Sequence, residues 1–228
     1  MRAPSESARK GVVALLAATL VAAAPSRASA QSLPAPQRSE AWQTVSTVSM
    51  IVGVSTQLLM PRVYYSDTEV TVGWKARWHA SVLTSTMTLM ALAFVSEYGI
   101  KPEIGSFRPG CGTSNPGVPG CTTFGMPSTH TYAAFAALGH GTAVFLVDSF
   151  KWSEGRVHAG AVVGDVALPL IAAALTYAGR VAGSPSQEHG DQALVGAGVG
   201  LGMGLLAGGF YSLLQKPECN YGAGIICW

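Results

Sequence analysis

Apolar residues run along the chain in blocks near twenty residues long, not in short alternating stretches. After an N-terminal block, five more cover about residues 43–60, 80–98, 131–149, 157–178 and 193–214. Each is close to the length that crosses a bilayer core as a helix. The first is rich in Ser, Thr and Gln, and others carry Asp, Glu or His, so some faces must look toward protein and not lipid. Pro169 is expected to kink the fourth block. Gly196, Gly200, Gly204 and Gly208 fall at four-residue steps in the last one. On a helix they form a single flat stripe for close backbone approach, read first as internal packing and second as a dimer contact.

The expected fold class is therefore all-α: a polytopic membrane helical bundle of about five mature spans, or six if the N-terminal block is retained. That block has Arg2, Arg9 and Lys10 before an apolar run and closes on Ala28-Ser29-Ala30, the layout of a cleaved signal peptide over residues 1–30. Residues 31–42 read as an exposed, Pro-rich lead-in without function. Residues 43–215 form the helical domain, and 216–228 a Cys-containing tail.

Charge adds orientation. Arg62, Lys75 and Arg77 share one loop and Lys151 and Arg156 another, both on one side, which the positive-inside rule makes cytoplasmic. The opposite side receives all four cysteines, Cys111, Cys121, Cys219 and Cys227. An even set on an exported face favours disulfides, with local pairing the simplest of three connectivities. Trp42, Trp74, Trp78 and Trp152 lie at span ends, as interfacial tryptophans do. Only 11% of the 228 residues are charged and the formal charge is +2, which leaves nothing to neutralise a run of phosphates. Nucleic-acid binding is excluded on that ground.

Three loops on the cysteine side hold the candidate chemistry. They contain Lys101 and Arg108-Pro109, then Pro127-Ser128-Thr129-His130, then Arg180 followed by His189 and Asp191. Arg and Lys offer charge-assisted, multidentate hydrogen bonds to a tetrahedral oxyanion, and phosphate is the natural ligand. Two histidines can divide phosphoryl transfer between them, one as nucleophile and one as leaving-group acid, so that no metal or other cofactor is required.

These blocks resemble the type 2 phosphatidic acid phosphatase superfamily over roughly residues 43–215. The signature is Lys-x6-Arg-Pro, then Pro-Ser-x-His, then Arg…His…Asp, and the first two are matched in spacing and order. The resemblance implies that Lys101, Arg108 and Arg180 hold the phosphate oxygens, with Ser128 and the Thr129 amide adding donors. It gives His130 the leaving-group proton, His189 the phosphohistidine and Asp191 the orientation of that histidine. The third block departs from the pattern, which has five residues between Arg and His and three between His and Asp. Here there are eight and one. Gly179 also stands for the usual Ser, and Thr129 for the usual Gly.

The resulting expectation is a phosphatase in the cell membrane, its site facing the periplasm or exterior, acting on a lipid phosphate or diphosphate through a phosphohistidine. A degenerate phosphate-binding protein and a soluble exported acid phosphatase are the alternatives, with a vanadium haloperoxidase a more distant third. The bilayer and the lipid phosphate are the expected partners, and oligomeric state is left open. His79, His140 and His158 read as structural. Asp165 is read either as a functional intramembrane carboxylate or as a helix–helix hydrogen bond. Glu97 can pair with Lys101 at helical spacing, while Glu103 and Glu188 read as loop charges.

Overall fold

A computed structural model describes residues 38–60, 62–66, 69–73, 80–111, 121 and 124–214. The signal-peptide segment, Lys75, Arg77, His79, Trp74, Trp78 and the Cys219 and Cys227 tail lie outside the described residues.

Five helices correspond to the five apolar blocks. They are α1 (Glu40–Leu59), α2 (Ala80–Val95), α3 (Thr129–Trp152), α4 (Ala159–Val181) and α5 (Gly190–Leu214). Of these, α3, α4 and α5 are long and apolar enough to cross a membrane. Wide π-type turns interrupt three helices: at Ser96–Ile100 as α2 runs on into Lys101–Ile104, at Asp148–Trp152 in α3 and at Val162–Ala167 in α4. The turn in α4 lies just before Pro169, which lacks an amide hydrogen and clashes with the carbonyl four residues back.

The bundle is apolar outside and small or polar inside. Ile51, Phe94, Leu170, Leu194, Leu206 and Phe210 are exposed, whereas Ser46, Gln57, Thr131, His140, Thr176 and Gln192 are buried. Water would select against this arrangement, and a lipid surround favours it, because the outer side chains need not leave an apolar medium. With no hydrophobic drive between helices, packing rests on close approach. The glycine stripe of α5 supplies it: a Cβ on Gly200 or Gly204 would collide with the carbonyl oxygen of Tyr132 or Ala136, and one on Gly208 would lie 2.6 Å from that of His140. The stripe is therefore internal, packed along α3.

Polar groups inside the bundle pair across helices. His140 Nε2 lies 2.7 Å from Ser85 Oγ, and its Nδ1 lies 3.1 Å from Gln57 Oε1, so one imidazole ties α1, α2 and α3 together. Asp165 is buried in the wide turn of α4.

Between α1 and α2 the sequence reading expected only a basic loop. The structure has an antiparallel hairpin there, β1 (Arg62–Ser66) and β2 (Glu69–Gly73), registered Ser66 to Glu69. β-Branched and aromatic residues in both segments favour it. Arg62 extends from the hairpin to α3 and binds both carboxylate oxygens of Asp148, its Nε donating to Oδ2 at 2.8 Å. Tyr65 N donates to Ser153 Oγ at 3.0 Å, fixing the hairpin to the same end of the bundle.

Candidate functional site

The opposite end of the bundle gathers the three motif loops. Each cation is placed by a different local device. Lys101 sits one turn past Glu97 on the continuation of α2, and its Nζ donates to Glu97 Oε2 at 2.5 Å. That is the pairing expected from their four-residue spacing. Arg108 follows the turn at Gly105, whose φ of +63° suits glycine. Arg180 occupies the last turn of α4, with its side chain buried inward.

Ser128 caps the N-terminus of α3, accepting from Thr131 N at 3.3 Å. The helix thus points its positive end at the same space. Thr129 donates its hydroxyl to Glu97, so the carboxylate that holds Lys101 also holds the start of α3. His130 faces Thr47 of α1, its Nε2 3.4 Å from Oγ1, and lies within electrostatic reach of Arg180, Glu188, Arg108 and Lys101.

Lys101, Arg108, Ser128, Thr129, His130 and Arg180 are thus brought together. His189 and Asp191 are not, because both are exposed. The buried residues of that segment are Gln187, Glu188 and Gln192. Arg180 Nη2 donates to Glu188 Oε1 at 2.7 Å, and Arg108 Nη2 lies 3.9 Å from the same oxygen. Read from sequence as a loop charge, Glu188 is instead the carboxylate at the centre of the cation cluster. His189 is held through its backbone, its N donating to Gln192 Oε1 at 3.0 Å and its carbonyl accepting from Ala193 N at 3.1 Å.

Gln192 joins the first and third loops. Its Nε2 donates to Ser106 Oγ and to Phe107 O, each at 2.8 Å, and its carbonyl accepts from Ser128 N at 3.1 Å. Gly125 is needed beside it, since a Cβ there would overlap the Gln192 amide. A sequence signal for Gln192 exists. Carried back toward the N-terminus in steps of four, the stripe Gly208, Gly204, Gly200, Gly196 reaches Gln192 in the first turn of α5, on the buried face that Asp191 leaves.

A fourth cation comes from the segment read as a functionless lead-in. Arg38 Nη2 donates to Pro109 O at 2.8 Å and approaches Cys111 Sγ at 3.1 Å. Its neighbours include Arg108, Arg180 and Glu188, and burial followed by those two arginines pulls its pKa down. Gln187 Nε2 donates to Ser39 O at 3.1 Å, closing the same segment over the third loop. Cys111 is bonded to Cys121 at this end of the bundle.

Electrostatics fit an anion site. Burial pulls down the pKa of Lys101, with Glu97 opposing, and that of Arg108, with Glu188 opposing. Burial pushes the Glu188 carboxyl up, but the Arg180 charge and hydrogen bond and the Arg108 charge outweigh it and hold it below the usual carboxylate range. The Ser128 hydroxyl adds to that lowering. Nε of Arg108, Nε of Arg180 and Oε2 of Glu188 are buried without a hydrogen-bond partner among the described residues. Unsatisfied guanidinium donors of this kind fit an oxyanion ligand. No cluster of three or more His, Cys, Asp or Glu suited to a metal ion occurs among the described residues.

No family model matches the chain, and no curated protein matches it. Among solved structures it is similar to the crystal structure of a transmembrane PAP2 type phosphatidylglycerolphosphate phosphatase from Bacillus subtilis. That likeness has 16% identity and a TM-score of 0.47 over 93% of this chain and 90% of the other.

Proposed function

We propose that the chain is a membrane phosphatase of the type 2 phosphatidic acid phosphatase kind, which takes the phosphate of a lipid phosphate or diphosphate into this pocket and hydrolyses it. The observation that carries the reading is the convergence of Lys101 and Arg108 from the segment after α2 and Arg180 from the last turn of α4 on the capped end of α3, with Nε of both arginines unpartnered. Phosphoryl transfer asks chiefly for charge stabilisation and placement, and four cations around a helix N-terminus supply both.

Within this reading Lys101, Arg108 and Arg180 clamp the phosphate oxygens, Arg38 closes the clamp from above, and Ser128 and the Thr129 amide add donors. His130 gives its proton to the departing oxygen, and the arriving dianion favours the imidazolium form that this requires. The phosphohistidine expected at His189 has no support in the geometry, since that side chain is exposed. An exported site is supported by the Cys111–Cys121 bond beside the pocket and by Arg62, Lys151 and Arg156 at the other end. The apolar exterior favours a lipid substrate drawn from the bilayer.

The test is phosphate release by detergent-purified protein from phosphatidate, an isoprenoid diphosphate and a soluble phosphomonoester, with chelator and with orthovanadate. Release from a lipid, kept in chelator and inhibited by vanadate, is expected. One observation favours a second reading, that of a phosphate binder without turnover: the ion pairs of Glu188 with Arg180 and Arg108 already occupy part of the clamp. Vanadate binding without release from any of the three substrates would select it.

A further inference from the structure

We propose that Glu97 is a positioning residue of the phosphate site, acting on Lys101 and on the start of α3 at once. This role rests on the phosphatase reading above and falls to a carboxylate that lies outside all three motif blocks. One oxygen of Glu97, Oε2, accepts both from Lys101 Nζ, at 2.5 Å, and from the hydroxyl of Thr129, 32 residues further along the chain. Two hydrogen bonds to one oxygen keep their donors within about 6 Å of each other. A single group therefore fixes the separation between the clamp lysine and the first residue of α3, whose amide and whose neighbour His130 serve the phosphate in that reading.

The backbone under Glu97 is shaped for this. Pro102 has no amide hydrogen, and in a regular helix it would clash with the carbonyl of Tyr98. The chain instead widens over Ser96–Ile100, and Lys101 N donates to Ser96 O, one residue further back than in an α-helix. Lys101 is thus fixed at its amide by Ser96 and at its ammonium by Glu97. An ammonium has three donors, so the one given to Glu97 sets the directions of the other two without using them.

Charge and sequence agree with the role. Burial pushes the Glu97 carboxyl up, but the hydrogen bonds from Lys101 and Thr129 and the charges of Lys101 and Arg108 outweigh it and hold it below the usual carboxylate range, so the acceptor stays ionised. Thr129 stands where the family pattern has Gly, and a glycine there would have no side-chain donor to give. The Glu97 side chain is 27% exposed against 2% for Lys101, so a change at Glu97 reaches the pocket through its two partners and not through lost core packing.

The test is a double-mutant cycle of Glu97→Ala and Thr129→Val, read as kcat/KM on the best lipid phosphate of the panel above and as the unfolding midpoint in detergent. Expected are a loss of roughly 10- to 100-fold in kcat/KM for Glu97→Ala, a loss of roughly 3- to 10-fold for Thr129→Val, and a double variant within about twofold of Glu97→Ala alone. Glu97→Gln, which keeps an oxygen acceptor, and Thr129→Ser, which keeps the hydroxyl, should each recover part of the corresponding loss. A merely structural role would move the midpoint and leave kcat/KM of the folded fraction unchanged. Additive losses, wild-type turnover in either single variant, or no recovery in Glu97→Gln and Thr129→Ser would each overturn the role of Glu97 and leave the phosphatase reading standing. Folded wild-type protein that releases no phosphate would overturn that reading and the role of Glu97 with it.

Discussion

Glu188 lies 2.7 Å from Arg180, eight residues away in sequence and joined to it by the loop that closes the pocket. Both side chains are almost fully buried, so neither has water to replace the other. Arg180→Ala would strand the carboxylate at a cost of about 3–5 kcal/mol. Glu188→Gln, which keeps a hydrogen-bond acceptor, should cost less. Thermal unfolding of the two variants in detergent gives the order.

The same pair makes stability depend on pH. The carboxyl of folded Glu188 lies below its ordinary value of 4.5, so its contribution is complete above that value. It is lost as pH falls through the lower, folded value. Wild-type protein should therefore lose more of its unfolding midpoint between about pH 6 and about pH 3 than Glu188→Gln does. Equal losses would place the sensitivity elsewhere.

Gln192 touches no reacting atom in this account and acts by positioning. Its amide joins the Arg108 loop to the start of α5, so Gln192→Leu should loosen the clamp while the helices remain folded. A fall of roughly 10- to 100-fold in kcat/KM is expected, with partial rescue in Gln192→Asn. A purely structural role would instead lower the unfolding midpoint and leave kcat/KM of the folded fraction unchanged.

The four-residue stripe and the glycines between its members should behave oppositely. Gly204→Ala drives a methyl into the carbonyl of Ala136, and about 1–3 kcal/mol of destabilisation is expected. Gly202→Ala meets nothing within 4 Å and should be neutral or gain up to about 1 kcal/mol from helix propensity. Unfolding midpoints of the two variants check this.

At the far end, Asp148→Ala would leave Arg62 buried without its carboxylate. A loss of about 3–5 kcal/mol is expected. Because this pair is remote from the pocket, vanadate affinity of the folded variant should stay within about twofold.

Much of the fold was legible because lipid-sized apolar blocks specify helices by length alone. The glycine stripe announced a close packing partner, and Lys101, Arg108, His130 and Arg180 could be singled out because their chemistry stands out in an apolar chain. The third block was legible by residue type but not by burial. His189 and Asp191 carry the expected residue types, but both are exposed; Asp191 sits one position from the buried face of α5, and a helix turns about 100° per residue. Only the phase of the stripe separates Gln192 from its neighbour Asp191. Arg38 was missed because a Pro-rich segment shows no periodicity to tell where its end will dock. The hairpin was missed because its two segments are five residues each and were read through their charges.

Binding of orthovanadate to the detergent-purified protein, followed by calorimetry beside Arg108→Ala, tests the central claim without requiring turnover. Saturable one-to-one binding by the wild type is expected, weakened at least about tenfold in the variant, since one charge-assisted clamp is worth roughly 1.5 kcal/mol or more. Absence of binding by folded wild-type protein, or equal affinity in Arg108→Ala, would contradict the claim that these cations form a phosphate site.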